Sequence, residues 1–338
     1  FLFSAMDRFP PEAAMAFFTE LGVPLKTERG DRVFPTSDRS ADVIDALVRE
    51  MKHQKVSTVH GRASHIQTED GHVTGVILED GRQFAAQTVI LATGGASYPA
   101  TGSTGDGYRL ASELGHTVTD LQGSLVPLEA KGEDCPRMQG LALKNVRIKV
   151  VNQKKKVAYE GFGELLFTHF GLSGPLILSA SAHLTKLDKN QYTVIIDLKP
   201  ALEEKKLDER LVREFQAQAN KDFQNALGSL LPRLMIPVII ERTGIPPETK
   251  VHDLTRSQRR QLLEQLKGFR VDITGLRPVE EAIVTSGGIK TSEVNPTTME
   301  SKKVSGLYLV GELLDVDAYT GGFNLQIAWA TGYAAGRY

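Results

Sequence analysis

The hydrophobic pattern changes period several times along the chain, and each change predicts a different element. After Ser40, a suitable N-cap, apolar residues recur at helical spacing: Val43, Ile44, Leu47, Val48 and Met51. The pairs Asp70-Gly71 and Asp80-Gly81 then separate three β-like stretches, residues 62–66, 73–79 and 83–91. Because Asp-Gly is a strong hairpin signal, this region predicts an antiparallel meander.

Two short apolar runs, residues 88–92 and 307–310, each end in glycine. Thr93-Gly94-Gly95 follow the first run, and Gly311-Glu312 follow the second. Continuously apolar strands are typical of a parallel sheet buried on both faces. Ligands bind at the carboxyl edge of such sheets. The pattern therefore predicts an α/β, doubly wound (Rossmann-like) domain in which both strand ends contribute to a binding edge.

The last predicted helix, residues 323–335, begins directly after Gly321-Gly322 and is rich in alanine and glycine. A helix N-terminus has unpaired N–H groups and a partial positive charge, which suit an anion. Glycine allows the backbone to approach a ligand closely. The pattern favours a cofactor cradle, and a tight turn before a close-packed helix is the other interpretation.

Between the two apolar runs the pattern is first β-like and then helical. Residues 146–151, 157–159 and 192–198 form β-like runs. A helical pattern follows over 202–266, with a capping box at Thr255 and Gln258 and a stop at Gly268. We predict an α/β domain formed by 1–122 and 277–338, a β-rich insertion over 123–200 and a helical insertion over 201–276.

The composition and charge of the chain limit the classes of partner that we expect. Forty Lys and Arg against 41 Asp and Glu leave a formal charge of −1, so we expect neither a nucleic-acid nor a membrane partner. The run Lys154-Lys155-Lys156 is expected to be a solvated hairpin turn. The single cysteine, Cys135, excludes a disulfide or a cysteine-based metal site within the chain. We expect a cytoplasmic protein that acts on a small molecule without a metal, and its oligomeric state stays open.

Four motifs together resemble a known family. They are ATGGASYPATGSTGDGY from Ala92, ELLFTHFGLSGP from Glu164, VTSGGIKTSEVNPTTMESK from Val284 and GLYLVGELLDVDAYTGGFNLQIAWATG from Gly306. The chain resembles the two-dinucleotide-binding-domain flavoproteins. Within them it is similar to the BaiN-like or aminoacetone-oxidase-like (YhiN-like) FAD-binding oxidoreductases. The resemblance covers essentially the whole chain, and the last motif is its most specific part.

The resemblance implies how these residues hold FAD. Ala63 would contact adenine through its backbone, and Asp106 matches an aspartate that helps to hold FAD in the related fumarate-reductase group. The strand ends and the last helix would contact the rest of the cofactor through Thr93, Gly94, Gly95, Gly287, Gly311, Glu312, Gly321, Gly322, Phe323, Asn324 and Leu325. The start of the last helix would face the flavin N1–C2 carbonyl, where its positive end favours hydride acceptance.

Two implications of the resemblance carry open questions. His169 is a candidate proton donor near the flavin, and a histidine that fixes loop geometry is the favoured interpretation. The family also begins with a strand, a Gly-x-Gly-x-x-Gly turn and a helix that bind the pyrophosphate. No such segment follows Phe1, so we expect either a longer protein or a core fragment.

The function that these features favour is a flavoenzyme in which FAD exchanges hydride with a small organic substrate, or accepts it from NADH or NADPH. Because the flavin performs the redox step, no side-chain nucleophile is required. A flavoprotein that acts on or binds RNA is an alternative, against which the charge balance counts. A folded fragment without activity is a third possibility.

Overall fold

The computed structural model describes residues 1–28, 31–184, 187 and 191–337. The chain divides into two compact units: residues 1–124 with 279–338, and residues 125–278. Among the described residues, no helix is both long and apolar enough to cross a membrane.

The first unit begins with helices and a hairpin. The elements are α1 (Phe3–Arg8), α2 (Pro11–Glu20), β1 (Leu25–Glu28), β2 (Arg32–Pro35) and α3 (Ser40–His53). The apolar residues of α3 divide into two sets. Val43 and Leu47 pack in a small cluster with Phe18 and Trp329. In contrast, Ile44, Val48 and Met51 are exposed. The expected N-cap was wrong by one position, because Arg39 is the N-cap of α3 and makes no side-chain capping bond.

The meander forms as predicted, with β3 (Ala63–Glu69), β4 (His72–Leu78) and β5 (Gln83–Ala85) antiparallel in that order. The stretch 83–91, expected as one strand, divides in two. Its first part pairs with β4. Its second part is β6 (Val89–Leu91), which pairs with β15 (Leu307–Leu309) in parallel. A single strand was expected because apolar residues occur in both parts. Only the pairing of β5 with β4 and of β6 with β15 shows that they are two strands.

The parallel pair organises the rest of this unit. Around it lie α4 (Asp106–Glu113), the antiparallel pair of β7 (Gln122–Ser124) with β14 (Val284–Ser286), and α11 (Phe323–Ala335). The core is built from β15, α4, α11 and the loops beside them. All three residues of β15 are buried, as expected, but Ile90 in β6 is 44% exposed. Burial of β6 on both faces was therefore an incorrect expectation, because no described element covers the face on which Ile90 lies.

The second unit contains a closed six-stranded barrel. Its strands, in spatial order, are β10 (Val157–Phe167), β11 (Gly171–Ser173), β8 (Leu128–Ala130), β13 (Phe269–Leu276), β12 (Tyr192–Asp197) and β9 (Ala142–Asn152). All neighbouring pairs are antiparallel, and β10 pairs with β9 to close the barrel. Inward residues of β9 and β12, such as Ile148 and Val194, are fully buried, while their sequence neighbours point outward.

Helices complete this unit. They are α5 (Asp134–Arg137), α6 (Pro175–Ser181), α7 (Glu204–Ala217), α8 (Phe223–Ala226), α9 (Ile236–Thr243) and α10 (Arg256–Lys267). The predicted capping box of Thr255 and Gln258 is present at the start of α10. One hydrophobic core joins these helices to the barrel. Apart from residues 123–124, which belong to β7, both predicted insertions lie in one unit, because β13 follows the helices in sequence and returns to the barrel beside β12.

Candidate cofactor site

The parallel pairing of β6 and β15 brings the two glycine-terminated strand ends together. Leu91 is opposite Leu309, and Val310 N–H donates to the Leu91 carbonyl at 3.2 Å. Thr93 and Gly311 follow these two leucines by the same number of residues. The predicted meeting of Thr93–Gly95 with Gly311–Glu312 at one edge is therefore confirmed. This is the edge at which open α/β sheets bind ligands.

Thr285, which the sequence analysis missed, holds this edge together. Its side chain is buried, and its Oγ1 accepts the Ala96 N–H at 2.8 Å and lies 3.0 Å from Ser97 Oγ. Its own N–H donates to Glu312 Oε1 at 2.6 Å. The Glu312 carboxylate thus binds the protein backbone, so its side chain links β14 to the strand edge. The only sequence signal for this role was the presence of a threonine in the apolar run that precedes Ser286.

Close packing against Thr285 and Glu312 leaves no room for a side chain at Gly95. A Cβ at Gly95 would contact Thr285 Oγ1 and lie 2.6 Å from Glu312 Oε1. Tyr108 also contacts Glu312, because its hydroxyl donates to the Glu312 carbonyl at 3.3 Å. Burial, followed by the nearby Glu312 charge, raises the pKa of Tyr108, so its hydroxyl stays protonated. The glycine here serves the protein's own contacts, and ligand binding by the neighbouring Gly94 stays a prediction.

Asp106 lies in the first turn of α4, bound to an arginine. Its carboxylate accepts two hydrogen bonds from Arg62, at 2.6 and 2.9 Å, and one from Thr104 Oγ1 at 2.8 Å. The Arg62 hydrogen bond is the main reason why the pKa of Asp106 is lowered. Beside it, Arg109 donates to the Ala63 carbonyl at 3.0 Å. The two arginines, which the sequence analysis did not select, join the predicted residues Ala63 and Asp106 into one surface cluster.

The start of α11 has the bare backbone that the sequence predicted. Gly322 is its N-cap with φ 91°, a conformation that favours glycine, and no side chain caps the helix. The N–H groups of the first turn therefore lack intrahelical partners. Phe323 is 57% exposed and Leu325 is 58% exposed, so two apolar side chains flank these amides. Such a surface suits a flat, partly apolar ligand with carbonyl acceptors.

The Asn324 side chain binds the loop before α11, and the expected ligand contact of this residue through its backbone N–H stays a prediction. Its Oδ1 accepts the Ala318 N–H at 2.9 Å and its Nδ2 donates to the Ala318 carbonyl at 2.8 Å. This side chain therefore closes the loop 318–324, in which Gly321 has φ 126°. Just before the loop, Asp317 accepts hydrogen bonds from Ser124 and Ser286, at 2.7 and 3.0 Å, and so fixes the loop to β7 and β14.

The small residues of α11 allow it to pack against the strand end. Thr331 Oγ1 accepts the Gly311 N–H at 3.0 Å, and Ala328 lies beside the same glycine. Ala330 and Ala334 are buried. Gly287 lies next to Asp120, where β14 meets the segment before β7, so its backbone also serves internal packing. Close packing therefore explains the alanines in the second half of α11, while the first turn keeps the exposed amides.

His169 belongs to the other unit. It lies in the loop between β10 and β11, with its ring 5.0 Å from that of Phe170. Thr168 closes this loop, because its Oγ1 accepts the Gly171 N–H at 3.1 Å. Arg277 lies over the Phe170 ring at 4.7 Å. These contacts describe an ordered loop, and a catalytic role of His169 stays a hypothesis.

The unit that contains the candidate site also contains a buried polar cluster that the sequence patterns did not indicate. His116 Nε2 lies 2.8 Å from Ser301 Oγ, and its Nδ1 lies 3.3 Å from Glu293 without hydrogen-bond geometry. Ser301 Oγ also accepts the N–H groups of Lys303 and Val304, at 3.0 and 2.9 Å. Because this hydroxyl is buried and occupied by two amides, the Ser-His-Glu arrangement is structural rather than nucleophilic.

Two charged groups of that cluster have shifted pKa values. Burial opposes ionisation of Glu293, but hydrogen bonds from Lys303 and from Thr117 outweigh it and lower the Glu293 pKa to about 2. Burial lowers the pKa of His116, and the Glu293 charge opposes this. The described residues contain no group of three or more His, Cys, Asp or Glu side chains placed to hold a metal.

Comparisons with known proteins place the chain among flavoproteins. The model of the HI0933-like protein Rossmann domain matches residues 1–338. A 3-dehydro-bile acid delta(4,6)-reductase of Clostridium scindens is 32% identical over 99% of this chain and 81% of its own length. Ribosomal RNA dihydrouridine synthases of Escherichia coli and Haemophilus influenzae are 29% and 28% identical, over 98% and 99% of this chain and 80% and 81% of their own.

Among solved structures, Aquifex aeolicus GidA in its form I crystal matches 93% of the chain with a TM-score of 0.35 and 10% identity. The chain spans 54% of that protein's length. The whole-chain match to the domain model and the 32% identity establish the assignment independently of that structure. The chain belongs to the HI0933-like Rossmann family, a family of FAD-binding oxidoreductases, as its motifs indicated.

Proposed function

We propose that this chain binds FAD between the β6/β15 strand ends and the first turn of α11, and that it adds hydrogen across a carbon–carbon double bond of its substrate. The observation that carries the proposal is the joint placement of the paired strand ends and the uncapped helix. Gly311 is fixed to Thr331, and at 1.5 Å per residue the start of α11 lies about 12 Å along the helix from that contact.

The residues present fit the flavin end of FAD. Phe323 and Leu325 offer apolar surface for a flat ring, and the free N–H groups between them can donate to its carbonyl oxygens. Asn324 holds the loop 318–324 in the shape that leaves these N–H groups open. Bound FAD would supply the hydride acceptor and donor. The positive end of α11 would stabilise negative charge that develops beside it.

The names of the relatives support a proposal for the substrate class. A delta(4,6)-reductase and a dihydrouridine synthase both bear names that describe saturation of a carbon–carbon double bond. We therefore favour a reductase of a double bond conjugated to a carbonyl group, with NADH or NADPH as the hydride source. A small organic molecule is the first candidate substrate, since the relative with that kind of substrate has the higher identity.

RNA is the second candidate substrate. Two relatives that match nearly the whole chain bear the name of a ribosomal RNA dihydrouridine synthase. The chain-wide charge of −1 led us to expect no nucleic-acid partner, but this value averages over two units. A uridine contains the same kind of double bond as an enone, so one flavin chemistry serves both candidates.

The test is FAD titration of the whole chain, followed by anaerobic addition of NADPH or NADH and then of an enone. We expect bound FAD to lose its visible absorbance with one nicotinamide and to regain it with the enone. Asn324→Asp should weaken FAD binding about tenfold, because it removes a loop hydrogen bond and places a negative charge beside the ring. Gln83→Glu, the same charge change on exposed β5, is the control and should bind FAD normally.

Three results would contradict the proposal. The first is a folded chain that does not bind FAD. The second is Asn324→Asp with unchanged affinity for FAD. The third is bound flavin that is reduced by a nicotinamide and reoxidised only by oxygen, since this would indicate an oxidase.

A further inference from the structure

The charges of this chain are divided unequally between its two units. Residues 125–278 contain 25 Lys and Arg against 18 Asp and Glu, a formal charge of +7. The other unit contains 15 against 23, a charge of −8. The total of −1 therefore hides a strongly basic barrel unit. An excess of this size on one compact body is the electrostatic signature of a polyanion partner.

Strand β9 concentrates part of this charge on the outside of the barrel. Lys144, Arg147 and Lys149 are exposed, whereas Val146 and Ile148, which lie between them, are buried; Asn145 is also exposed. Arg147 and Lys149 are successive outward positions, about 6.6 Å apart. Lys144 lies on the far side of a register irregularity at Asn145, and the three exposed cations together form a row along β9. The row is fixed by the barrel, because a one-residue shift in register would turn the buried residues outward.

The hairpin turn after β9 extends the row. Asn152 Oδ1 accepts the N–H groups of Lys154 and Lys156, each at 3.0 Å, and Lys155 has φ 60°. The predicted solvated turn is confirmed, and all three lysines are exposed. The turn is thus an ordered tip with three cationic side chains at the end of the row.

Nearby carboxylates neutralise only part of this charge. Glu160 on β10 lies 3.6 Å from Arg147 and 3.5 Å from Lys149, so one carboxylate is shared by two cations. Asp197, opposite Arg147 on β12, is bound by Lys267. The row therefore keeps an excess of positive charge.

An exposed aromatic ring lies within the same surface. Phe162 on β10 is opposite Arg147 in the barrel register and is 60% exposed. Cations beside an exposed ring suit a single-stranded nucleic acid, in which phosphates meet the cations and a base stacks on the ring. A single phenylalanine can also insert into a lipid interface, but it buries little apolar area there. We therefore favour the nucleic acid, and binding to lipid vesicles is an outcome of the test below.

We infer that the basic row (Lys144, Arg147 and Lys149), the lysine turn 154–156 and Phe162 form an RNA-docking surface. This inference rests on the RNA candidate of the proposed function. The surface lies within the barrel unit and would need no FAD to bind RNA. Its partner is RNA rather than DNA because the relatives with a nucleic-acid name act on ribosomal RNA.

The test measures fluorescence anisotropy of a labelled oligouridylate of about 16 nucleotides with the whole chain, over a range of salt concentrations. Affinity should fall with salt. The triple variant Lys144→Gln, Arg147→Gln, Lys149→Gln should reduce the log–log salt slope by about 2, at about 0.7 per lost contact. Binding at 0.1 M salt should then be about 100-fold weaker, and the difference should vanish near 1 M.

Two more variants separate the contributions. Phe162→Ala should weaken binding about tenfold with the same salt slope, since stacking releases no counterions. The control variant Lys205→Gln, Lys206→Gln, Arg213→Gln removes the same charge from exposed positions of α7. It should keep most of the affinity. Equal losses in both triple variants would mean diffuse attraction and would overturn the inference.

Other results discriminate further. Binding to phosphatidylserine vesicles without binding to the oligouridylate would identify a membrane surface and overturn the inference. FAD binding and reduction by a nicotinamide should be unchanged in the β9 triple variant. A chain that reduces an enone but binds no RNA keeps the proposed function and loses this inference. A chain that binds RNA through β9 but binds no FAD would support this inference and contradict the proposed function.

Discussion

Replacing Thr285 by valine removes one hydroxyl from the centre of the candidate site and leaves the shape of the side chain almost unchanged. The Ala96 N–H then loses its acceptor at 2.8 Å, and Ser97 Oγ loses its neighbour at 3.0 Å. A polar group left without a partner away from water costs about 1–3 kcal/mol. Because Ala96 is only partly buried, we expect a loss of about 2 kcal/mol in the free energy of unfolding.

The assay uses the single tryptophan of the chain. Trp329 lies in α11 with its ring 5.0 Å from that of Phe18, so its fluorescence reports the unit that contains Thr285. A loss of about 2 kcal/mol should lower the urea midpoint of this transition by about 0.7–1 M, for a slope of about 2–3 kcal/mol/M. The thermal midpoint should fall by about 4–8 °C.

Two control variants make this test specific. Thr285→Ser keeps the hydroxyl and should recover most of the hydrogen-bond contribution. Thr19→Val removes an exposed hydroxyl that donates to the Met15 carbonyl within α2, and it should change stability by less than about 0.5 kcal/mol. If Thr285→Val shifts the tryptophan transition no more than Thr19→Val does, Thr285 does not hold the strand edge together.

Three further predictions use the same protein. Glu293→Gln should destabilise the tryptophan-containing unit at pH 7. Since folding lowers the Glu293 pKa from 4.5 to about 2, the advantage of the wild type is complete above pH 4.5 and is lost as the pH falls towards 2; urea midpoints at several pH values measure it. Gly95→Ala should cost about 1–3 kcal/mol through overpacking, whereas Gly332→Ala, within α11 and with open space around it, should gain about 0.5–1 kcal/mol; reversed signs would contradict the packing described here. Cys135 should resist iodoacetamide at pH 8 in the folded chain and react in urea, because burial raises its pKa to about 12; rapid labelling of the folded chain would refute its burial.

Local elements were predictable because their signals are local. The limits of α11 followed from a glycine pair and a run of small residues, and the meander followed from two Asp-Gly turns. The capping box of α10 was also readable, because both of its partners lie within one helical turn. The N-cap of α3 was misassigned by one residue for the opposite reason, although the helix does begin at Ser40. Ser40 has the right chemistry for a cap, but nothing in its neighbours decides whether its side chain makes the bond.

The barrel could be predicted only in part from local sequence patterns. Its β9, β10 and β12 were expected as β-like runs, but β8 and β11 have only three residues each and carry no periodic signal. β13 follows the helices in sequence, so its place beside β12 depends on packing across more than 70 residues. The chain-wide charge of −1 could not reveal the unequal division of charge between the two units for the same reason, since only the fold shows which charges belong to the same unit.

In the candidate site, the sequence alone determined which backbone is bare: the glycines after β6 and β15 and before α11. These positions are encoded by the residue itself, because glycine is the one residue without a Cβ. Only the tertiary structure decided which polar groups remain free to meet a ligand. Glu312 is occupied by Thr285, and Asp106 by Arg62. Such pairings join residues 27 and 44 positions apart, and a hydrogen bond between distant residues leaves no periodic trace in the chain.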